Sequence, residues 1–142
     1  MKISESRYSS CLYFSSNALA RKMEKLALES WKPVDLSPSH AYLLMLIIDQ
    51  PGMQPGALSE EMQLTPSTVT RLLEKLEERK FIVRTNEGRT TNVYPSPKGK
   101  ELQSKLKCCV KHFHEACTTL LSREETLKAL QSMHKLAEQL GE

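Results

Sequence analysis

Apolar positions along this chain change spacing from helical to strand-like and back, and proline, glycine and hydroxyl residues separate the blocks. A first amphipathic stretch, residues 6–30, carries Leu12, Leu19, Met23 and Leu26 on one stripe and ends before Pro33, which cannot continue it. Ser37 followed by Pro38 starts a second helix, and "AYLLMLII" is apolar almost all round, which predicts burial on every side until "QPGMQPG" stops it. A short helix over residues 57–63 leads through Leu64 into a fourth, where Thr65 caps and Pro66 fits the first turn. "FIVRT" and "TNVYP", β-branched and aromatic, flank "NEGR" and predict a hairpin over residues 81–95. Ser96 and Pro97 open a further helix with Leu102, Leu106, Cys109, Phe113, Ala116 and Leu120 at alternating spacings of four and three. Ser122 and Glu125 form a capping box before a last helix striped by Leu127, Leu130, His134, Ala137 and Leu140.

The fourth helix, within "LTPSTVTRLLEKLEERKF", holds the candidate chemistry. Thr65, Ser67, Thr68 and Thr70 crowd its start, although hydroxyl and β-branched residues add little to a helix interior. Val69, Leu72, Leu73 and Leu76 share one face, which turns Ser67, Thr70, Arg71 and Glu74 outward. The second helix of a helix-turn-helix presents its first turns to the major groove, where hydroxyls meet several bases or a thymine methyl and arginine grips guanine, which makes Thr65, Ser67, Thr68, Thr70 and Arg71 candidate DNA contacts. Glu74, Glu77 and Glu78 limit insertion to the first two turns, and Lys75 lies at the side within reach of a phosphate. For this segment alone a capped surface helix is the competing reading. Its context favours DNA: Arg84 and Arg89 lie on the hairpin that follows, and from Gly88 to Lys100 there are basic residues and no acid. Arg89 at the hairpin turn is placed to enter a minor groove.

The chain of 142 residues, 39% hydrophobic, corresponds to about one domain, with a core small enough to gain from shared burial. Its net charge of +3 points to neither nucleic acid nor membrane, so charge placement has to decide. No apolar run reaches the ~18 residues of a membrane span, and "MKISESRYSS" lacks a secretory core, so a cytoplasmic location is expected. Cys11, Cys108, Cys109 and Cys117 follow no paired zinc-ribbon spacing and read as thiols. No phosphate loop or nucleophile motif accompanies His40, His112, His114 and His134, which argues against an enzyme and calls for no cofactor.

In this order, "LSPSHAYLLMLI", "GALSEEMQLTPSTVTRLLEKLEERKFIVR", "EGRTTNVYPSPKGKEL" and two long terminal helices resemble the multiple antibiotic resistance regulator (MarR) family of bacterial transcription factors over nearly the whole chain. The family's Asp-x-Arg wing motif falls on Glu87, Gly88 and Arg89, with Glu in place of Asp, and its lysine-glycine pair falls on Lys98 and Gly99. The segment between Arg84 and Arg89 is shorter than many family wings. The resemblance implies a winged helix-turn-helix lobe over residues 36–96, dimerisation helices over 1–35 and 97–142, and a homodimer that binds a roughly palindromic operator and usually represses. A winged-helix protein-interaction module that does not read DNA is the alternative from outside this class.

The resemblance also implies release from DNA by a ligand, an oxidant or a metal. Cys11 lies where the family's organic hydroperoxide branch carries its sensing cysteine, and a helix start favours a reactive thiolate. That branch's tyrosine one turn later is Ser15 here, with Tyr13 nearby. Tyr13, Trp31, His40 and Tyr42 are candidates to line an effector cleft, although such residues are more often core. Cys108 and His112, one helical turn apart in "CCVKHFHEAC", have the spacing of two metal ligands, but Ala41 and Tyr42 occupy the positions that supply further ligands in the family's zinc-sensing branch. No metal site is assigned, and a metal-responsive regulator is the minor alternative.

Overall fold

The computed structural model describes residues 1–141 as two short 3-10 helices (Ile3–Glu5 and Lys32–Val34), seven α-helices and one hairpin. In chain order the α-helices and strands are α1 (Leu12–Ser30), α2 (Pro38–Asp49), α3 (Pro55–Met62), α4 (Pro66–Glu78), β1 (Ile82–Glu87), β2 (Thr90–Pro95), α5 (Pro97–Glu101), α6 (Gln103–Thr118) and α7 (Arg123–Leu140). The mainly helical class with a two-stranded antiparallel hairpin matches the reading of the sequence. Three boundaries differ from it. Residues 6–10 form turns rather than the start of α1, because the Ser6 hydroxyl accepts from the Tyr8 amide (3.2 Å) and side chains of this kind compete with helical bonding. The short third helix begins earlier, with Gln54 as N-cap and Pro55 at its first position. The helix opened by Ser96 breaks at Leu102, which ends α5 and caps α6.

Before that break, α5 is fixed to the residues that lead into the hairpin. The Ser96 hydroxyl donates to the Lys80 carbonyl (2.6 Å) and accepts from the Gly99 amide (3.0 Å), while the Ser96 amide donates to the Phe81 carbonyl (2.9 Å). Any Cβ at Gly99 would collide with the Phe81 carbonyl oxygen, so only glycine permits this approach.

Side chains of α2, α3, α4 and the hairpin supply most of the core: Leu43, Leu44, Ile47, Leu58, Val69, Leu73, Leu76, Ile82 and Val93 are buried, as the all-round apolar pattern of α2 requires. Ala27, Trp31, Leu106 and Cys109 belong to the same cluster, so α1 and α6 are packed onto the winged helix. Trp31 stacks obliquely between Tyr42 (5.2 Å between ring centroids) and Phe113 (5.7 Å). Toward the termini burial fails. Leu12, Leu19 and Met23 are exposed, and no residue of α7 is buried. No helix among the described residues is long and apolar enough to cross a membrane.

Candidate nucleic-acid interface

The turn between α3 and α4 is built without glycine. Gln63 adopts a left-handed conformation (φ 52°), which lets its amide reach the Glu60 carbonyl (3.2 Å) and the Leu64 amide reach the Ser59 carbonyl (3.2 Å). This six-to-one and five-to-two pairing is a Schellman ending, so it satisfies the last carbonyls of α3 while redirecting the chain. Thr65 then caps α4 by accepting from the Thr68 amide (3.4 Å).

Val69, Leu73 and Leu76 press α4 into the core, leaving Ser67, Thr70, Arg71 and Lys75 exposed. The hydroxyls are not equivalent. Thr65 and Thr68 hydrogen-bond each other (2.9 Å), and Thr68 is only half-exposed. Thr70 donates its single proton back to the Pro66 carbonyl (2.9 Å), so it offers lone pairs and a methyl group outward. Arg71 makes no ion pair or side-chain hydrogen bond among the described residues, whereas Lys75 lies 3.9 Å from Glu78, a loose exposed pair worth little. Thr65 and Thr68 thus shape the helix start, and Ser67, Thr70 and Arg71 form its outward chemical face.

Arg84 occupies a different place from the one its charge suggests in sequence. Its Nε and Nη2 donate to the two carboxylate oxygens of Glu77 (3.0 Å each), tying β1 to the last turn of α4. This hydrogen bond is the main reason the Glu77 carboxyl is held below, and the Arg84 guanidinium raised above, its ordinary range. Arg84 is therefore engaged within the chain, where it pairs with Glu77. Its partner Glu77 was legible in sequence only as an acid that limits groove entry, since nothing local reveals a pairing seven residues apart across a turn.

The hairpin runs in register from Ile82 opposite Pro95 to Glu87 opposite Thr90, so its turn consists of Gly88 and Arg89. Gly88 has φ 67°, the conformation the first position of a tight hairpin turn requires, and Arg89 stands exposed at the tip with no ion partner among the described residues. A short bridge between Met53 and Val93 adds a third strand-like edge, with the Val93 amide donating to the Met53 carbonyl (3.0 Å). The sequence reading treated Met53 only as part of a helix stop. At the other end, Phe81 lies between the Arg79 guanidinium (5.1 Å from the ring centroid) and the Lys98 ammonium (4.8 Å). Lys98 also donates to the Arg79 carbonyl (3.0 Å), so this basic residue braces the lobe.

The four residues expected to line one effector cleft are not brought together. Trp31 is fully buried against Tyr42, but Tyr13 is 80% exposed near the far end of α1. His40 bonds the Ser37 hydroxyl at the start of α2, and burial, then Arg79, then Lys75 hold its pKa below the ordinary value. A cleft of about 430 Å³ does lie between α2 and α6, lined by Tyr42, Met45, Ile48, Asp49, Lys107 and Val110. Burial raises the Tyr42 pKa above its ordinary value. Cys11 is exposed at the N-cap of α1. Ser15 donates to the Ser9 carbonyl (2.9 Å) and supplies the thiol with no partner. No group of three or more metal-ligating side chains occurs among the described residues.

A helix-turn-helix with an outward hydroxyl and arginine face, followed at once by a basic-tipped hairpin, defines a winged helix-turn-helix protein. The family model described as "MarR family" matches residues 34–90, the segment containing this lobe up to the second strand. The HTH-type transcriptional repressor MdtR of Bacillus subtilis (strain 168) is 25% identical over 130 residues, covering 89% of this chain and 84% of that protein. In fold the chain is similar to MepR of S. aureus in complex with DNA (TM-score 0.81, 20% identity, 91% of this chain and 97% of that one). It is also similar to CouR from Rhodococcus jostii RHA1 bound to p-coumaroyl-CoA (TM-score 0.77, 20% identity, 96% and 95%). Residues 34–90 thus match the MarR family, and over most of its length the chain is similar to a transcriptional repressor of the helix-turn-helix type.

Proposed function

We propose that the protein is a homodimeric repressor that reads a pseudo-palindromic operator with Ser67, Thr70 and Arg71, grips phosphates with Lys75, and reaches the minor groove with Arg89. The observation that carries this is the outward set on α4: an arginine without an internal partner among the described residues, beside a threonine whose only proton is already used. Arg71 suits the adjacent acceptors of guanine, and Thr70 suits a base-edge donor or a thymine methyl. Thr65 and Thr68 support these residues by fixing the helix start, and Arg84 aligns the wing through Glu77.

The dimer follows from the unburied stripes of α1 and α7, and it spaces two reader helices about one DNA turn apart. Residues 1–35 and 97–142 serve that pairing, although Trp31 and Leu106 also belong to the core of the 36–96 lobe. The effector is a small lipophilic molecule taken by the α2–α6 cleft, where Tyr42, Ile48 and Val110 offer apolar surface and Lys107 a cation for an acidic group. Selection of bound sequences from random DNA with the purified protein, with and without peroxide, tests the reading. Enrichment of an inverted repeat, with affinity falling steeply as salt rises, is expected; no enrichment and no salt dependence would indicate a protein-binding module. Repeating the peroxide arm with Cys11→Ser assigns or removes oxidant sensing at that cysteine, because equal loss of binding in both proteins excludes it.

A further inference from the structure

The buried seam of α6 is flanked by two clefts, and only the α2–α6 cleft has so far been given a role. The other, about 510 Å³, lies between the end of α1 and the opposite flank of α6, within the size range of small-molecule sites. Its lining includes Glu29, Ser30, Ser104, Lys105, Cys108 and His112.

A hydrogen bond to α1 positions the His112 ring. The Ser30 hydroxyl donates its single proton to the Leu26 carbonyl (3.0 Å), so toward His112 Nδ1 (3.1 Å) it acts as acceptor. In the tautomer that pairs with this arrangement the imidazole carries its proton on Nδ1 and keeps a lone pair on Nε2. Cys108 precedes His112 by one helical turn on the same flank and is exposed, whereas its neighbour Cys109 is buried, and burial pushes that thiol's pKa up. A thiol, a base one helical turn away in the same cleft and a third group orienting that base are the parts from which an activated nucleophile is assembled.

We propose that Cys108 is a nucleophilic thiol served by His112 as general base and Ser30 as a positioning residue, and that it captures lipophilic α,β-unsaturated carbonyl compounds entering this cleft. His112 Nε2 takes the thiol proton as Sγ forms a bond to the β-carbon. The π electrons of the alkene move to give an enolate, whose oxygen the Lys105 ammonium stabilises. The imidazolium returns the proton to the α-carbon, so thiol and alkene become a thioether with no other reactant consumed.

The full-length protein treated with cyclohexenone at neutral pH, with cyclohexanone as the unreactive control, tests this by peptide mass spectrometry. Cys11, exposed at the start of α1, is the internal reference. Cys108 is expected to react at least about tenfold faster than Cys11, a small part of what general-base assistance supplies. His112→Gln should bring Cys108 down to the Cys11 rate, and Ser30→Ala should slow it while leaving Cys11 unchanged. Equal rates at Cys108 and Cys11 in the wild type, or an undiminished Cys108 rate in His112→Gln, would overturn the assignment. The role of the adduct as an inducing signal rests on the repressor reading, and operator binding by modified and unmodified protein measures it. Selective modification without DNA binding by either form refutes the regulator, and DNA binding without selective modification refutes the thiol site.

Discussion

Helices α4 and α7 are both amphipathic, yet they treat their apolar faces in opposite ways. On α4, Val69, Leu73 and Leu76 are fully buried, and the polar face is what remains for a partner. On α7, Leu127, Leu130 and Met133 are 50%, 42% and 51% exposed, so the apolar face itself remains. The first helix is stabilised by its own chain and free to read another molecule. The second is complete only when something covers it, and in the proposed dimer that is a second copy. An amphipathic pattern specifies that a face needs burial but not which molecule buries it.

The contrast can be broken most strongly on the α4 side. Leu73→Ala should cost about 3 kcal/mol by leaving a cavity in a closed core, read as a lower midpoint in denaturant independent of protein concentration. The double substitution Leu130→Glu and Met133→Glu should instead make the protein monomeric in sedimentation and lower operator affinity by about a hundredfold, since linked half-sites bind together. A dimer surviving that change would remove α7 from the interface. Arg71→Ala is expected to cost about 1–3 kcal/mol at one base pair and to relax preference there, while Arg89→Ala weakens binding across sequences and lowers the salt slope by about one.

Glu77→Gln should have a smaller effect, about 1 kcal/mol in stability, because the bidentate pair is partly exposed and screened. The Glu77 carboxyl is depressed on folding, so its contribution is full above the unfolded value near 4.5 and is lost as pH falls through the lower folded value. Acid titration of stability should therefore be shallower in the Gln variant than in the wild type. The smallest expected effect is Lys80→Gly. Lys80 ends α4 with φ 65°, and relieving its left-handed strain should add about 0.5 kcal/mol after glycine's own entropy cost.

Much of the fold was legible because its signals are local. Ser37 with Pro38, Thr65 with Pro66, and Ser122 with Glu125 mark helix starts within a few residues, and the structure contains each cap. The outward face of α4 was legible too, since a 3.6-residue period dictates what opposes Val69, Leu73 and Leu76. Pairings across space were not. Arg84 reads as a free wing cation until Glu77 is seen to hold it, and Lys98 as a basic contact until the Arg79 carbonyl and Phe81 engage it. Tyr13 and His40 read as companions of Trp31 in the cleft that the family resemblance implies, but the length of α1 separates Tyr13 from it, and His40 lies beside Ser37 instead.

By itself, then, the sequence determined the order of elements, the buried side of α4 and the hydroxyl and arginine face opposite, because periodicity and capping act over a few residues. Only the tertiary structure decided which of those charges stay free, that Gly99 admits the Phe81 carbonyl, and that two clefts flank α6. Those properties depend on side chains far apart in the chain meeting at hydrogen-bonding distance, and no local pattern encodes such a meeting.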